Sequence, residues 1–225
     1  MSAIAQRYGS VQRAVGDAAD IAGRDAREVT IVAVSKTVGV EEVRQAMAAG
    51  VSDFGENRAQ EFTSKQALFP QMRWHFIGTL QTNKVRDVVG RAYLIHSIDS
   101  LHLLRAVDRH ATELGVVQDV LLQVNVSGEE SKHGMTEEEA EEAVRAACGL
   151  PGVRVRGVMT IAPFVRPESV RPVFRETADL LGRLQSMHCD GADLTELSMG
   201  MTNDFRVAVE EGATIVRVGR AIFGK

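Results

Sequence analysis

Lysine is scarce in this chain, and its scarcity singles out a few amines for chemistry. Of the 26 basic residues only five are lysines, namely Lys36, Lys65, Lys84, Lys132 and Lys225. A lysine amine can form an imine with an aldehyde, which an arginine guanidinium cannot do. Lys36 follows an apolar segment and lies on the same side as Val32 and Val34. If those valines fill a barrel interior, the ammonium points into the barrel mouth, where desolvation would favour the neutral, nucleophilic amine.

Two short turns of small residues could bind an anion. One contains Ser198, Gly200, Met201 and Thr202 and precedes a predicted helix, and the other contains Gly219 and Arg220. Hydroxyl groups, and backbone N–H groups left accessible by glycine, suit a phosphate at such a turn. Both turns follow late predicted strands, which is where barrels of alternating strands and helices often bind phosphate.

Arg217 lies two residues before Gly219 and therefore shares its inward face. A buried guanidinium needs an acceptor, which could be a carboxylate from another strand or a ring nitrogen of a cofactor. An imine-forming lysine, a phosphate-binding turn and an arginine for a pyridine nitrogen are three parts of a pyridoxal phosphate site.

The elements that must position these residues alternate regularly along the chain. After an amphipathic helix at residues 3–22, strands are predicted at residues 29–35, 53–56, 73–77, 93–98, 119–126, 153–161, 196–199 and 215–218. Helical periodicity follows each strand, with no repeat of fixed length. This pattern predicts one domain over residues 1–225, a single (β/α)8 TIM-type barrel with an extra N-terminal helix. A doubly wound open sheet is the alternative, but its dinucleotide-binding form would need a GxGxxG motif that the sequence lacks.

Composition narrows the classes of partner. The chain has 225 residues and a net charge of −4, so we expect no general nucleic-acid binding, which needs a basic surface. No apolar run approaches the roughly 18 residues that span a bilayer. Gln6 and Arg7 stand where a signal peptide would be apolar, so we expect neither secretion nor a membrane anchor.

The remaining metal-binding and redox candidates show no recognisable spacing. Cys148 and Cys189 form no CxxC pair, which favours a reduced protein in the cytoplasm. Six histidines lack ligand spacing with carboxylates, so we expect no metal site.

Six ordered motifs resemble the pyridoxal phosphate homeostasis protein family. They cover nearly the whole chain: residues 34–37 (VSKT), 54–61 (FGENRAQE), 74–78 and 80–84 (WHFIG, LQTNK), 131–134 (SKHG), 197–201 with 204–205 (LSMGM, DF), and 216–224 (VRVGRAIFG). The resemblance implies a barrel like the N-terminal domain of alanine racemase. It also implies pyridoxal phosphate held as an aldimine by Lys36, and a role in balancing and delivering the free cofactor without established catalytic turnover.

The same resemblance assigns roles to individual residues. Asn57 would lie near the cofactor ring, and Arg217 would face the pyridine nitrogen. The phosphate would be held by Ser198, Gly200, Met201, Thr202, Gly219 and Arg220. Lys84 and Lys132 match lysines that the family places near the site and are possible accessory residues. The partners expected are pyridoxal phosphate and the apo-enzymes that accept it, and the chain is expected to be a monomer.

Two enzymatic alternatives remain at this stage. A racemase-like enzyme could use the same cofactor in the same barrel, although 225 residues leave no room for the second, β-rich domain of alanine racemases. A phosphosugar enzyme could use the anion-binding turns without the cofactor. It would want a carboxylate base at a strand end, and Glu56 is the obvious candidate.

Overall fold

Eight parallel strands close into a barrel in sequence order in the computed structural model, which describes residues 2–126 and 133–224. They are β1 (Thr30–Val34), β2 (Asp53–Glu56), β3 (Arg73–Phe76), β4 (Leu94–Ile98), β5 (Gln118–Gln123), β6 (Val153–Met159), β7 (Ala192–Met201) and β8 (Ile215–Val218). Strands β1 and β8 close the barrel, pairing from Thr30 with Ile215 to Ala33 with Val218. The predicted barrel is therefore confirmed.

Helices surround the strands. They are α1 (Ala3–Ile21), α2 (Val40–Ala48), α3 (Ala59–Leu68), α4 (Val85–Val88), α5 (Leu101–Leu114), α6 (Glu137–Ala147), α7 (Arg171–Gln185), α8 (Phe205–Glu210) and α9 (Arg220–Phe223). Short 3-10 turns occupy Ala26–Glu28, Thr82–Lys84 and Pro167–Val170. Local sequence sets several helix starts: Thr136 and Glu139 form a reciprocal capping box at α6, which satisfies backbone N–H groups that the helix leaves unpaired.

The predicted boundaries hold best where strands are short and worst at β7. The prediction started β7 at residue 196, but the strand begins at Ala192 because its first half pairs with β6, from Val155 with Ala192 onward. Polar residues in that half interrupt the apolar run from which a strand is predicted. The helical segment expected after β3 is a 3-10 turn followed by the four-residue α4.

Two apolar layers fill the structure. The larger lies between the strands and the helices, where Phe54 stacks on Trp74 with ring centroids 5.2 Å apart. The smaller lies inside the barrel and consists of Val32, Leu94, Leu121, Met159 and Ile215. Side chains alternate between these layers along each strand, so inward residues near the strand ends reach the barrel mouth.

Cys148 and Cys189 are joined by a disulfide, with Cα atoms 5.5 Å apart. The expectation of reduced cysteines is therefore wrong for this structure. The pairing comes from the chain path, because the end of α6 meets the loop before β7, and sequence spacing does not reveal that contact. Separately, no helix within the described ranges has the length and apolar character needed to cross a membrane.

Candidate functional site

Lys36 stands at the rim of the barrel, directly after β1. Ser35 continues the sheet, its N–H donating to Gly55 O at 3.0 Å, and Val38 N–H donates back to Ser35 O at 3.0 Å. The tight turn between them is helped by Thr37, whose φ of 61° is left-handed. The Lys36 side chain is exposed. The structure has it at the strand end, as the sequence analysis expected, with the side chain exposed rather than buried in the barrel mouth.

A buried ion pair anchors the backbone next to Lys36. Glu56 is fully buried, and its Oε1 accepts hydrogen bonds from Ser35 Oγ at 2.7 Å and from Lys65 Nζ at 2.6 Å. Lys65 Nζ also donates to Ser35 O at 2.7 Å. Strand β2 therefore holds the hydroxyl of Ser35, and helix α3 holds its carbonyl oxygen, directly before Lys36.

The same contacts bear on the phosphosugar alternative. A general base needs access to the proton that it removes. Glu56 has 0% of its surface exposed and is held by Lys65 of α3, outside the ring of strands. It is not placed as a base at the barrel mouth.

The end of β7 and the turn that follows it are shaped by Gly200. Its φ is +89°, and a Cβ there would lie 2.5 Å from Ala208 Cβ, so only glycine fits. Asp204 fixes the turn, because its Oδ1 accepts the Met201 N–H at 2.7 Å. Burial raises the pKa of Asp204, although that hydrogen bond and the charge of Arg217 oppose the rise.

The turn after β8 lies against both the end of β1 and the turn after β7. A Cβ on Gly219 would come within 3.2 Å of Val34 O, two residues before Lys36. The Ala221 N–H donates to Thr202 Oγ1 at 3.4 Å. The two anion-binding candidates and the Lys36 turn are thus brought together at one corner of the barrel mouth.

Arg220 follows Gly219 at this corner. Its side chain is exposed, and its guanidinium carbon lies 5.8 Å from the centre of the Phe164 ring. The side chain therefore reaches the segment after β6, which carries Phe164.

Arg217 is buried in the barrel interior, as predicted, with 5% of its surface exposed. Its Nη1 donates to Ser198 Oγ at 2.6 Å and its Nη2 to Thr160 O at 2.8 Å. No ion pair within residues 2–126 and 133–224 involves it. Burial lowers its pKa to about 10, against the opposing charge of Asp204. The guanidinium is thus a desolvated cation held by neutral acceptors.

Ser198 is placed differently from the expectation. It is fully buried, and its hydroxyl contacts Arg217 and His96 Nδ1, the latter at 2.9 Å. It lies on β7, below the turn rather than in it. A hydroxyl donates one proton, so a bond from Ser198 to a phosphate would compete with its contact to His96. Its assignment to the phosphate site stays a prediction.

Asn57 and Lys84 line one cavity of about 450 Å³ beside the rim. Asn57 Oδ1 is buried without a hydrogen-bond partner, which is costly unless a ligand or water supplies a donor. Lys84 is half exposed, with its Nζ 3.5 Å from Asp87 Oδ2. Lys132, the other accessory candidate, lies outside the described residues.

Sequence reasoning missed a set of polar residues in the barrel interior. His75 Nε2 lies 3.0 Å from Asp53 Oδ1, His75 Nδ1 lies 2.9 Å from His96 Nε2, and His96 continues to Ser198. The signal was present, because Asp53, His75 and His96 are ionisable residues at inward positions of short strands. In the part of the chain described, no group of three or more potential ligands is placed to hold a metal.

The fold and this corner define the class of protein. The sequence model described as "Alanine racemase, N-terminal domain" matches residues 14–225, so the chain is a barrel of that family. A relative from Aquifex aeolicus, named pyridoxal phosphate homeostasis protein, is 43% identical and aligns over 98% of this chain and 97% of its own. One from Escherichia coli (strain K12), with the same name, is 38% identical over 100% and 97% of the two chains.

A solved structure agrees with these relatives. PipY of Synechococcus elongatus, with pyridoxal phosphate bound, superposes with a TM-score of 0.85 at 36% identity, covering 98% of this chain and 100% of PipY. The chain therefore belongs to the pyridoxal phosphate homeostasis protein family.

Replacing Lys65 with methionine should destabilise the protein strongly. The Lys65→Met variant keeps the apolar stem but leaves the Glu56 carboxylate buried and unpaired, which should cost about 3–5 kcal/mol. The matched control is Arg145→Met, which breaks the exposed pair with Glu141 and should cost under about 1 kcal/mol. Urea unfolding followed by circular dichroism measures both, and equal losses would contradict this role of Lys65.

Proposed function

We propose that this protein binds pyridoxal phosphate covalently through Lys36, buffers the free cofactor and delivers it to apo-enzymes. The observation that carries the proposal is the meeting of three turns at one corner of the barrel: Gly219 against Val34, and Thr202 against Ala221. The names of the relatives and the cofactor bound to PipY support it. A cytoplasmic location is part of the same proposal.

The residues present fit such a cofactor. When bound, pyridoxal phosphate supplies an aldehyde carbon for an amine and a phosphate for an anion site. The exposed Lys36 Nζ would make the covalent bond. The backbone of Gly200, Met201, Gly219 and Arg220, with the Thr202 hydroxyl, would hold the phosphate.

Asn57 and Arg217 would face the ring. The orphaned Asn57 Oδ1 marks a place where a polar ligand atom is lacking. Arg217 has donors only, so it would keep a ring nitrogen that accepts its hydrogen bond unprotonated. An unprotonated ring is a weaker electron sink. That favours storage of the cofactor over amino-acid chemistry, and it is the reason to prefer a carrier to the racemase-like alternative.

Borohydride reduction should place the cofactor on Lys36. The reaction traps the covalent bond between amine and cofactor, and peptide mapping by mass spectrometry then identifies the labelled lysine. We expect the label on Lys36 in the wild type and its loss in Lys36→Arg. A matched variant, Lys65→Arg, retains a cation beside Glu56 and should keep the label on Lys36. A label found mainly on another lysine of the wild type would refute the assignment.

A negative charge in the turn after β7 should weaken cofactor binding through its phosphate. The Thr202→Asp variant should raise the dissociation constant of pyridoxal phosphate by about tenfold or more, because like charges repel at a partly buried site. Unphosphorylated pyridoxal should change by less than about threefold, since it lacks the anion. Thr195→Asp adds the same charge on the exposed early part of β7 and serves as the control. Equal weakening of both ligands would show that the turn does not hold the phosphate.

Delivery predicts a role for the amine of Lys84. It lines the same cavity as Asn57, and an amine near the rim could accept the aldehyde as the cofactor leaves. Lys84→Arg keeps the charge but cannot form an imine. Loaded to the same occupancy, this variant should transfer the cofactor to an apo-enzyme more slowly than the wild type. Identical transfer rates would leave only passive dissociation from Lys36.

A further inference from the structure

A continuous chain of hydrogen bonds crosses the barrel interior. It runs from Asp53, the first residue of β2, through His75 on β3 and His96 on β4 to Ser198 on β7, and ends on Arg217 of β8. Each of its four links measures between 2.6 and 3.0 Å. The link from His96 to Ser198 spans the interior, because β4 and β7 are not neighbours in the sheet. All five side chains are buried.

The two ends of the chain have fixed roles. A guanidinium can only donate, so Ser198 Oγ accepts from Arg217. At the other end, burial alone would raise the pKa of Asp53. Hydrogen bonds from His75, Arg73 and Ser52 outweigh burial and hold that pKa well below its ordinary value. Asp53 is therefore a carboxylate that only accepts, and His75 Nε2 carries the proton that it donates to Asp53.

When His75 carries its only proton on Nε2, the middle of the chain has one arrangement that satisfies every group. Burial, reinforced by the charge of Arg217, holds the pKa of His96 well below its ordinary value, so this ring is neutral. The Ser198 hydroxyl accepts from Arg217, and its own proton has His96 Nδ1 as its acceptor. His96 must then carry its proton on Nε2 and donate to His75 Nδ1. Every donor points from Arg217 toward Asp53.

We propose that Asp53, His75 and His96 are positioning residues that act on the cofactor ring through Arg217. This inference rests on the proposed function. The one-way chain holds Nη1 of Arg217 on Ser198 and so fixes the plane of the guanidinium that would face the ring nitrogen. Its dipoles align between a cation at the mouth and a carboxylate at the opposite end of the barrel. Hydrogen bonds in such a chain strengthen one another in a low-dielectric interior.

Asp53 is itself held firmly at the far end. Arg73 Nε donates to Asp53 Oδ1 at 2.7 Å, and Arg73 Nη2 donates to Asp53 Oδ2 at 2.6 Å. Ser52 Oγ adds a third bond at 2.7 Å. Because Arg73 is half exposed, this end of the chain lies near the protein surface. Asp53 is the first residue of β2, and the barrel mouth lies at the other end of the strands, so Asp53 is not a residue of the mouth.

Binding measurements on two variants test the proposal. His96→Leu removes two links, and Asp53→Asn keeps the shape of the side chain while removing its charge. We expect each to weaken pyridoxal phosphate by about tenfold and to shift the absorbance of the bound cofactor, because Arg217 loses its fixed orientation. The control is Ser97→Ala, since Ser97 is buried beside His96 and its hydroxyl has no partner.

A cofactor analogue separates positioning from general damage to the fold. In 1-deaza-pyridoxal phosphate a carbon replaces the ring nitrogen, so Arg217 has nothing to hold there. The two variants should bind this analogue within about threefold of the wild type. Equal weakening of both ligands would mean that the series of hydrogen bonds has a purely structural role. Unchanged binding of both ligands would mean that it has no role in binding the cofactor. Either result overturns the proposal.

The proton arrangement can be read without any cofactor. In apo-protein with 15N-labelled histidine, NMR should find His96 neutral with its proton on Nε2. A proton on Nδ1 of either ring, or a charged ring, overturns the one-way chain. In the borohydride experiment, a cofactor label on another lysine of the wild type would refute the proposed function. It would leave the NMR result unchanged, so the two failures are distinguishable.

Discussion

Closure of the barrel by β1 and β8 is the constraint on which the rest of the structure depends. These strands are the first and the last in the chain, and their parallel pairing sets Val32 beside Arg217 and Ala33 beside Val218. With that register, Gly219 must pass the end of β1, where a side chain would meet Val34 O. The pairing of β1 with β8 is what makes Lys36 and the turn after β8 neighbours. A shift of one residue would turn Arg217 outward.

The interior of this barrel is a compromise between packing and charge. An apolar filling would be the more stable choice, because buried polar groups gain little even when they are paired. Five apolar side chains do fill much of it. The polar chain occupies the remaining space, and it is tolerable because each member has a partner of the right kind. Removing one member would leave the others unsatisfied at about 1–3 kcal/mol each.

The site is supported from the outside as well as from within. On the inner side Ser198 and Thr160 hold Arg217, and on the outer side Glu56 and Lys65 hold the backbone at Ser35. Lys36 itself has no such restraint, because its side chain is exposed. A rigid frame around an exposed amine fits the proposed uptake and release of an aldehyde.

The sequence by itself determined the barrel, the strand that leads to Lys36 and the two small-residue turns, because strand alternation and glycine requirements are local properties. It also placed Arg217 on an inward face. Only the tertiary structure decided which side chains meet: that Ser198 serves Arg217, that Glu56 pairs with Lys65, that Cys148 lies against Cys189, and that two histidines join Asp53 to the mouth. Such contacts link strands up to about a hundred residues apart, and periodicity within one strand tells which face a residue occupies but not which residue lies across the barrel.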